Sequence, residues 1–199
     1  MSKSKDLFLT CMLEEAEALK HAATSLDENI EKIVDAIMDT KGKVIFMGVG
    51  KTGRIGEKIA ASMSSTGTPS FFVHATEAMH GDLGMIEPKD LVFIISNSGD
   101  TKETNDIIPP IKAIGAKIVG ISRNVNSTLI KNSDYHICYN YNKEADHLNL
   151  APTTSALIVL SIGDALATTI SRLKGFTRDD FYKYHQGGAL GKELRGEKK

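Results

Sequence analysis

The sequence predicts an α/β fold in which a doubly wound, five-stranded parallel sheet is flanked by helices. Five short, continuously apolar runs are typical of strands buried on both faces of such a sheet, and they occupy residues 44–47, 70–73, 91–95, 118–121 and 135–138. Helical stretches lie between most of these runs, which indicates the doubly wound arrangement. A chain of 199 residues is expected to form one domain, with a helical segment at 1–42 and a core at 43–194.

Before the first strand, roughly the first forty residues are predicted to form a long N-terminal helix. The side chains of Leu26, Ile30, Ile33 and Ile37 recur at spacings of four, three and four, which puts them on one helical face. Residues 7–19 have the same apolar character, and no glycine or proline occurs until Gly42, where we expect a stop. This helix has more apolar surface than a small domain needs, so we expect it to pack on the core or on a neighbouring chain.

After the fifth strand, the pattern predicts a second long helix over residues 152–174, which ends at Gly175. Its most apolar run, 156–162, is far shorter than the roughly 20 residues that cross a bilayer. The N-terminus has no long apolar stretch and therefore no secretory signal. We expect a soluble, cytoplasmic protein with no membrane partner.

Charge and composition exclude further classes of protein. The 24 Lys and Arg residues balance 25 Asp and Glu residues, so the chain lacks the strong basic excess of a nucleic-acid binder. An apolar fraction of 41% is ordinary for a globular domain and excludes disorder. Cys11 and Cys138 lie far apart and outside any CxxC pair, so we expect neither a disulfide nor a zinc site.

The loop after the first strand, GVGKTG at 48–53, can be interpreted in three ways. A Walker A loop would need its first glycine at position 45, which is Ile45. A dinucleotide fingerprint would need an acidic residue at the end of the second strand, which ends at His74 instead. The third interpretation is a phosphate cradle, in which Lys51 supplies charge and Thr52 a hydroxyl.

The loop after the third strand, SNSGDT at 96–101, combines three hydroxyls, one amide and a glycine before a predicted helix. These residues suit a phosphate ester, and they equally suit an ordinary helix cap. Because the carboxyl ends of parallel strands meet at one edge of the sheet, two such loops together favour a phosphorylated ligand. A sugar phosphate is the natural candidate, since nothing here resembles a pocket for a nucleotide base.

These two loops and five further stretches carry a family resemblance. The motifs lie at 48–56, 65–74, 80–85, 96–101, 150–155, 175–181 and 185–191. They resemble the sugar isomerase (SIS) domain family and, within it, the arabinose-5-phosphate isomerases. The resemblance implies an enzyme that interconverts D-ribulose 5-phosphate and D-arabinose 5-phosphate and needs no cofactor.

The resemblance also implies the site residues. It implies four catalytic residues, which are Lys51, Glu103, Glu144 and His185. Substrate contacts are expected from Gly67, Thr68, His74 and His80 and from the two polar loops, in which the candidates are Thr52, Ser96, Asn97, Ser98 and Thr101. No metal is required by the family, and His80 is a possible site for an inhibitory metal.

The chemistry of such an isomerase is compatible with these residue types. A proton moves between C1 and C2 through an enediol, which needs a base and a group that stabilises the developing oxyanion. Glu103 and Glu144 are candidate bases if burial raises their pKa, while Lys51 stabilises charge and His185 carries a proton. Glu103 could instead simply favour a helix N-terminus, Glu144 lies in a polar loop, and His147 beside it is a further candidate base.

Three departures from the family pattern matter. Gln186 replaces the usual proline, Asp100 replaces a glutamate, and only residues 195–199 follow Leu194, where many members continue into paired CBS domains. We therefore expect no CBS regulation.

The family implies that the His185 segment reaches a neighbouring subunit, so we expect a homodimer or homotetramer with shared active sites. The alternatives are an SIS isomerase for another sugar phosphate, such as a hexulose 6-phosphate, or a non-catalytic phosphosugar sensor.

Overall fold

The computed structural model describes residues 3–26, 29–194 and 196, and it contains the five predicted strands. They are β1 (Val44–Gly48), β2 (Ser70–His74), β3 (Leu91–Ile95), β4 (Lys117–Ser122) and β5 (Tyr135–Cys138). All neighbouring pairs are parallel, and the order across the sheet is β2-β1-β3-β4-β5. This order confirms the doubly wound prediction and places the topological switch point at β1, where ligands of open α/β sheets bind.

Helices surround the sheet at positions close to those expected. In chain order they are α1 (Lys3–Ser25), α2 (Asn29–Asp39), α3 (Gly50–Ser65), α4 (Ala75–Ala78), α5 (Lys102–Asp106), α6 (Ile108–Ile114), α7 (Thr128–Lys131), α8 (Thr154–Leu173), α9 (Arg178–Tyr184) and α10 (Gly188–Leu194). A short 3-10 helix, Asp82–Met85, lies between α4 and β3. The long N-terminal helix is present as α1, but the helical segment is divided, since α2 is separate and ends at Asp39.

The core consists of two apolar clusters, one on each face of the sheet. Strands β1 and β3 are buried at every position, as the continuous apolar runs predicted. Alternate residues of each strand point to opposite faces, so Phe46 and Phe93 stack on one face with ring centroids 4.9 Å apart. Ile45 and Val92 pack in the cluster on the other face.

Among the described residues, α8 alone is long and apolar enough, by length and composition, to cross a membrane. In the sequence, the most apolar run of this helix, residues 156–162, is far shorter than the roughly 20 residues that cross a bilayer. The core helix of a globular domain passes the same test. Here Ile158, Ile162, Leu166 and Ile170 of α8 are buried in the core cluster, so packing within the domain accounts for the apolar composition.

Candidate active site

A cavity of about 330 Å³ lies at the carboxyl edge of the sheet, between the segments that follow β1, β3 and β5. Its lining residues are Val49, Lys51, Thr52, Ile55, Ser96, Asn97, Ser98, Thr101, Tyr139, Glu144, Leu150, Pro152, Ser155, Ala156 and Val159. Seven predicted site residues are therefore brought together from three separate stretches of sequence. Among the described residues that line the cavity, Lys51 is the only cation and Glu144 the only carboxylate.

The first wall of the cavity is the turn from β1 into α3. Gly50 begins the helix with φ of +56°, a left-handed conformation that favours glycine. A side chain on Gly53 would crowd the Gly48 carbonyl oxygen at 3.2 Å, so these glycines let the helix approach the strand closely. The Thr52 hydroxyl donates to the Val49 carbonyl at 2.8 Å, and the exposed Lys51 side chain lines the cavity beside it.

The second wall is the hydroxyl loop, residues 96–101 after β3. The Thr101 hydroxyl lies 3.0 Å from the Ser96 hydroxyl and 3.4 Å from the Ser98 hydroxyl, so the three groups converge. Gly99 adopts φ of +71°, and any side chain there would overlap Ser127. Three clustered hydroxyls beside Lys51 make a small polar pocket that can donate several hydrogen bonds to a phosphate ester.

Asn97 lies in the same loop, but its side chain is already bonded to two tyrosines. The Tyr139 hydroxyl donates to the Asn97 amide oxygen at 2.9 Å, and the Asn97 amide nitrogen donates to the Tyr141 hydroxyl at 3.0 Å. Reasoning from the sequence missed both tyrosines. The signal was their spacing of two residues directly after β5, which puts both side chains on the same side of an extended chain.

Glu144 is the most constrained of the candidate catalytic groups, with only 6% of its surface exposed. One carboxylate oxygen accepts from the Tyr141 hydroxyl at 3.0 Å. The other accepts from the backbone N–H groups of Thr153 at 2.9 Å and Ser155 at 3.1 Å, at the N-terminus of α8. Helix N-termini stabilise negative charge, so the first turn of α8 already holds an anion that belongs to the protein.

The pKa of Glu144 departs from the expectation that burial raises the pKa of a catalytic carboxylate. Burial does raise the pKa of this carboxyl, but hydrogen bonds from Ser155, Thr153 and Tyr141 outweigh it and hold the pKa below its ordinary value. Glu144 is therefore ionised at neutral pH, and its charge is supported by fixed donors.

Comparison with known proteins places this geometry in a family. Residues 37–169 match the family model described as SIS domain. The chain belongs to the SIS domain family. It is 48% identical over 180 residues to the Yersinia pestis arabinose 5-phosphate isomerase KdsD, covering 90% of this chain and 55% of the relative. It is 45% identical over 184 residues to the Escherichia coli O6:H1 arabinose 5-phosphate isomerase KpsF, covering 92% of this chain and 56% of the relative.

A solved structure matches most of the chain. An E. coli CFT073 protein in complex with arabinose 5-phosphate superposes with a TM-score of 0.90 at 42% identity, covering 93% of this chain and 100% of that chain. The chain spans about half the length of the curated relatives that it matches.

Two predicted catalytic residues of this SIS domain lie outside the cavity lining. Glu103 is exposed in the first turn of α5. His185 follows α9, where its ring stacks on Phe181 with centroids 3.8 Å apart and its Nδ1 lies 2.9 Å from the Phe181 carbonyl oxygen. His147 is outside as well, with 84% of its side chain exposed beside Asp146. Within one chain, Lys51 and Glu144 are the two predicted catalytic groups that meet.

The two predicted substrate histidines lie near the carboxyl end of β2, beside the cavity. His74 caps α4, where its Nδ1 accepts from the Thr76 N–H at 3.3 Å, and it lines a neighbouring cavity of about 290 Å³ with Arg54. His80 is exposed after α4. In the described part of the chain, no group of three or more His, Cys, Asp or Glu residues could hold a metal ion, so the possible inhibitory site at His80 has no such cluster around it.

Gly67 and Thr68 lie at the opposite, amino-terminal edge of the sheet, between α3 and β2. Gly67 adopts φ of +91°, and a side chain there would overlap Phe176. The Thr68 hydroxyl is buried and accepts from the Lys174 ammonium at 3.0 Å. Within one chain both residues therefore hold the segment after α8 against the domain and do not reach the cavity.

Proposed function

We propose that this SIS domain is an aldose–ketose isomerase that interconverts D-ribulose 5-phosphate and D-arabinose 5-phosphate through an enediol, without a cofactor. The observation that carries the proposal is the meeting of three hydroxyls, one lysine and one ionised carboxylate in a single cavity. Two relatives named arabinose 5-phosphate isomerases and a structural neighbour in complex with arabinose 5-phosphate support the choice of sugar.

The hydroxyl loop holds the phosphate in this proposal. Ser96, Ser98 and Thr101 donate hydrogen bonds to the phosphate oxygens, and Lys51 adds charge from the facing turn. The N-terminus of α8 does not take this role, because the Glu144 carboxylate already occupies its first amides. This division assigns the phosphate to the hydroxyl loop and leaves the carboxylate for the chemical step.

Glu144 is the base that fits this arrangement best. It removes a proton from C1 of the ketose, the C–H electron pair forms the C1–C2 double bond of the enediolate, and the proton returns to C2 of the aldose. Lys51 stabilises the enediolate oxygen. The isomerisation also requires a proton to move between the two oxygens, and His185 carries it if that residue enters the cavity from a second subunit.

In this proposal the active form is a homodimer or homotetramer whose active sites are shared between subunits. Two observations support it: His185 lies away from the cavity of its own chain, and α1 exposes an apolar surface. We define this α1 surface by the exposed side chains of Leu7, Phe8, Leu9, Met12 and Leu13. A cytoplasmic location and the absence of nucleic-acid and membrane partners are proposed with it. The near-zero net charge of −1 supports the absence of a nucleic-acid partner.

The test is isomerisation of ribulose 5-phosphate in deuterated water. We expect arabinose 5-phosphate to form with deuterium at C2, because the base exchanges its proton with solvent between the two steps. Glu144→Gln is expected to lower kcat by at least about 100-fold, whereas the matched variant Glu31→Gln, on the exposed side of α2, keeps wild-type turnover.

The competing functions give different outcomes in the same assay. A phosphosugar sensor binds ribulose 5-phosphate but exchanges no deuterium and forms no aldose. An isomerase for another sugar leaves ribulose 5-phosphate unchanged and converts a different member of a panel of pentose and hexose phosphates. Wild-type turnover in Glu144→Gln would remove this carboxylate from the mechanism.

A further inference from the structure

A directional network of hydrogen bonds runs along the wall of the cavity and ends on Glu144. The Tyr139 hydroxyl donates to Asn97, the Asn97 amide donates to the Tyr141 hydroxyl, and Tyr141 donates to the Glu144 carboxylate. Each hydroxyl proton has one short acceptor, since Tyr141 lies 3.0 Å from the carboxylate and 3.5 Å from the Asn97 oxygen. Every donor points the same way, so the bonds polarise one another toward the negative charge.

Of the four residues in this hydrogen-bond network, Tyr141 is the one that does not line the substrate cavity. It is buried, and it borders a separate cavity of about 310 Å³ with Glu17 and His21 of α1. The Arg123 guanidinium lies 4.3 Å from the centroid of the Tyr141 ring. The tyrosine therefore reaches Glu144 from behind, held by a cation–π contact on its face.

The hydrogen-bond network also joins the Glu144 carboxylate to the hydroxyl loop, which is the proposed phosphate-binding side of the site. The Asn97 carbonyl oxygen accepts from the Arg123 N–H at 3.1 Å and from the Ser122 hydroxyl at 3.2 Å, which fixes the backbone of the hydroxyl loop. The Asn97 side chain lies between this loop and Tyr141. One side chain thus connects the loop that binds the phosphate with the group that moves the proton.

We propose that Tyr141 is a positioning residue, which orients the Glu144 carboxylate and couples its position to that of the hydroxyl loop through Asn97. The proposal rests on the isomerase function proposed above. It also assigns Asn97 a role different from the predicted substrate contact, because both atoms of its amide are bonded within the protein. Substrate held by the hydroxyl loop then meets a carboxylate whose direction is already set.

Other charged groups around Glu144 stay in place when the tyrosine hydroxyl is removed. They lie in the cavity wall, in the segment after β4, in the loop that carries Glu144 and in α1, and they are Lys51, Arg123, Lys143, Asp146, His147 and Glu14. Lys143 is paired with Glu14 at 2.8 Å, and His147 with Asp146 at 3.1 Å. A change in the titration of Glu144 is therefore attributable to the lost hydroxyl.

The experiment compares wild type with Tyr141→Phe, which removes one oxygen and keeps the ring beside Arg123. Carbon NMR of protein labelled in its glutamate side chains, assigned with Glu144→Gln, follows the Glu144 carboxyl. We expect its pKa to rise by about one pH unit, because one hydrogen bond to the charged form is lost. The acid limb of kcat/KM for ribulose 5-phosphate is expected to move to higher pH by the same amount.

Steady-state kinetics separate positioning from binding. We expect kcat of Tyr141→Phe to fall about tenfold and KM to stay within about twofold, because the phosphate contacts are retained. Asn97→Leu is expected to lower kcat in the same way with a smaller rise in the Glu144 pKa. Tyr135→Phe is the matched control, since Tyr135 borders a cavity at the opposite edge of the sheet with Lys117 and Asp90.

An unchanged Glu144 pKa and pH profile in Tyr141→Phe would overturn the proposal. A rise in KM for Asn97→Leu with an unchanged Glu144 pKa would overturn the part that concerns Asn97 and restore it as a substrate contact. If the wild type converts no sugar phosphate, the isomerase function fails by itself, and the NMR comparison still decides whether Tyr141 holds the carboxylate.

Discussion

Glu144 illustrates how two opposing effects decide the state of a single residue. Removing a carboxylate from water disfavours its charge, whereas donors fixed around it favour the charge. The backbone amides of α8 and the Tyr141 hydroxyl prevail, and the pKa of Glu144 lies below its ordinary value. A residue in this state is deprotonated at neutral pH, and its charge also contributes to the stability of the fold.

We expect that contribution to depend on pH. Because the folded pKa is depressed, the stabilisation is complete above the ordinary pKa of 4.5 and is lost as the pH falls through the folded value. Glu144→Gln should unfold more easily by about 1–3 kcal/mol at pH 7 and lose less stability than wild type on acidification below pH 4.5. Urea unfolding at several pH values measures both effects, with Glu31→Gln as the exposed control; parallel curves for wild type and Glu144→Gln would contradict the assignment.

At the scale of secondary-structure elements, the contact between α3 and α8 positions hydrogen-bond donors of the site. Gly163 of α8 is buried, and a side chain there would overlap Ile59 of α3. This close approach keeps α8 against the face of the sheet that holds Phe46. It also sets the N-terminus of α8, and with it the Thr153 and Ser155 amides, beside Glu144. Packing far from the cavity thus fixes donors within it.

Gly163→Ala is expected to destabilise the protein by about 1–3 kcal/mol through overpacking, although alanine favours helix over glycine by about 1 kcal/mol. Ile59→Ala, which opens a space, is expected to cost about 2–5 kcal/mol by itself. In the double variant the new methyl group occupies part of that space, so the two costs should sum to more than the observed loss. Thermal or urea unfolding of the four proteins tests this coupling, and simple additivity would show that the two side chains do not compete for space.

At the scale of the whole molecule, one chain does not bring all predicted catalytic groups together. Lys51 and Glu144 share a cavity, while His185 lies on a different part of the surface. The α1 surface is apolar and exposed; its residues Phe8, Leu9, Met12 and Leu13 recur at helical neighbour positions on one side of the helix. A patch of this kind indicates an association surface, and association of identical chains can complete the site.

Complementation tests this assembly. Lys51→Ala and His185→Ala are each expected to be inactive, but when the two are co-expressed their mixed dimers should form hybrid sites with both residues intact. Half of randomly assembled dimers are mixed and half of their sites are intact, so about a quarter of wild-type activity should return. Lys51→Ala with Glu144→Gln is the matched control, because both residues belong to one cavity and no intact site can form. Activity restored equally in both mixtures would contradict sharing through His185.

Prediction from the sequence succeeded where a local pattern decides the structure. The strands were predictable because β1 and β3 are buried on both faces and must be apolar at every position. The hydroxyl loop and Lys51 were predictable as neighbours because strand ends in a parallel sheet meet at one edge. The hydrogen bond between Asn97 and Tyr141 was not predictable, because it joins residues 44 positions apart.

The sequence by itself determined the fold class, the strands and the two polar loops, since apolar periodicity, glycines and hydroxyl side chains act within a few residues of one another. Only the tertiary structure decided which predicted residues meet. It placed the Glu144 carboxylate against the N–H groups of the first turn of α8 and the Tyr141 hydroxyl, and it left Glu103, His185, Gly67 and Thr68 away from the cavity of their own chain. These outcomes depend on how helices and loops pack in three dimensions, where burial and hydrogen-bond donors from distant segments set both position and pKa.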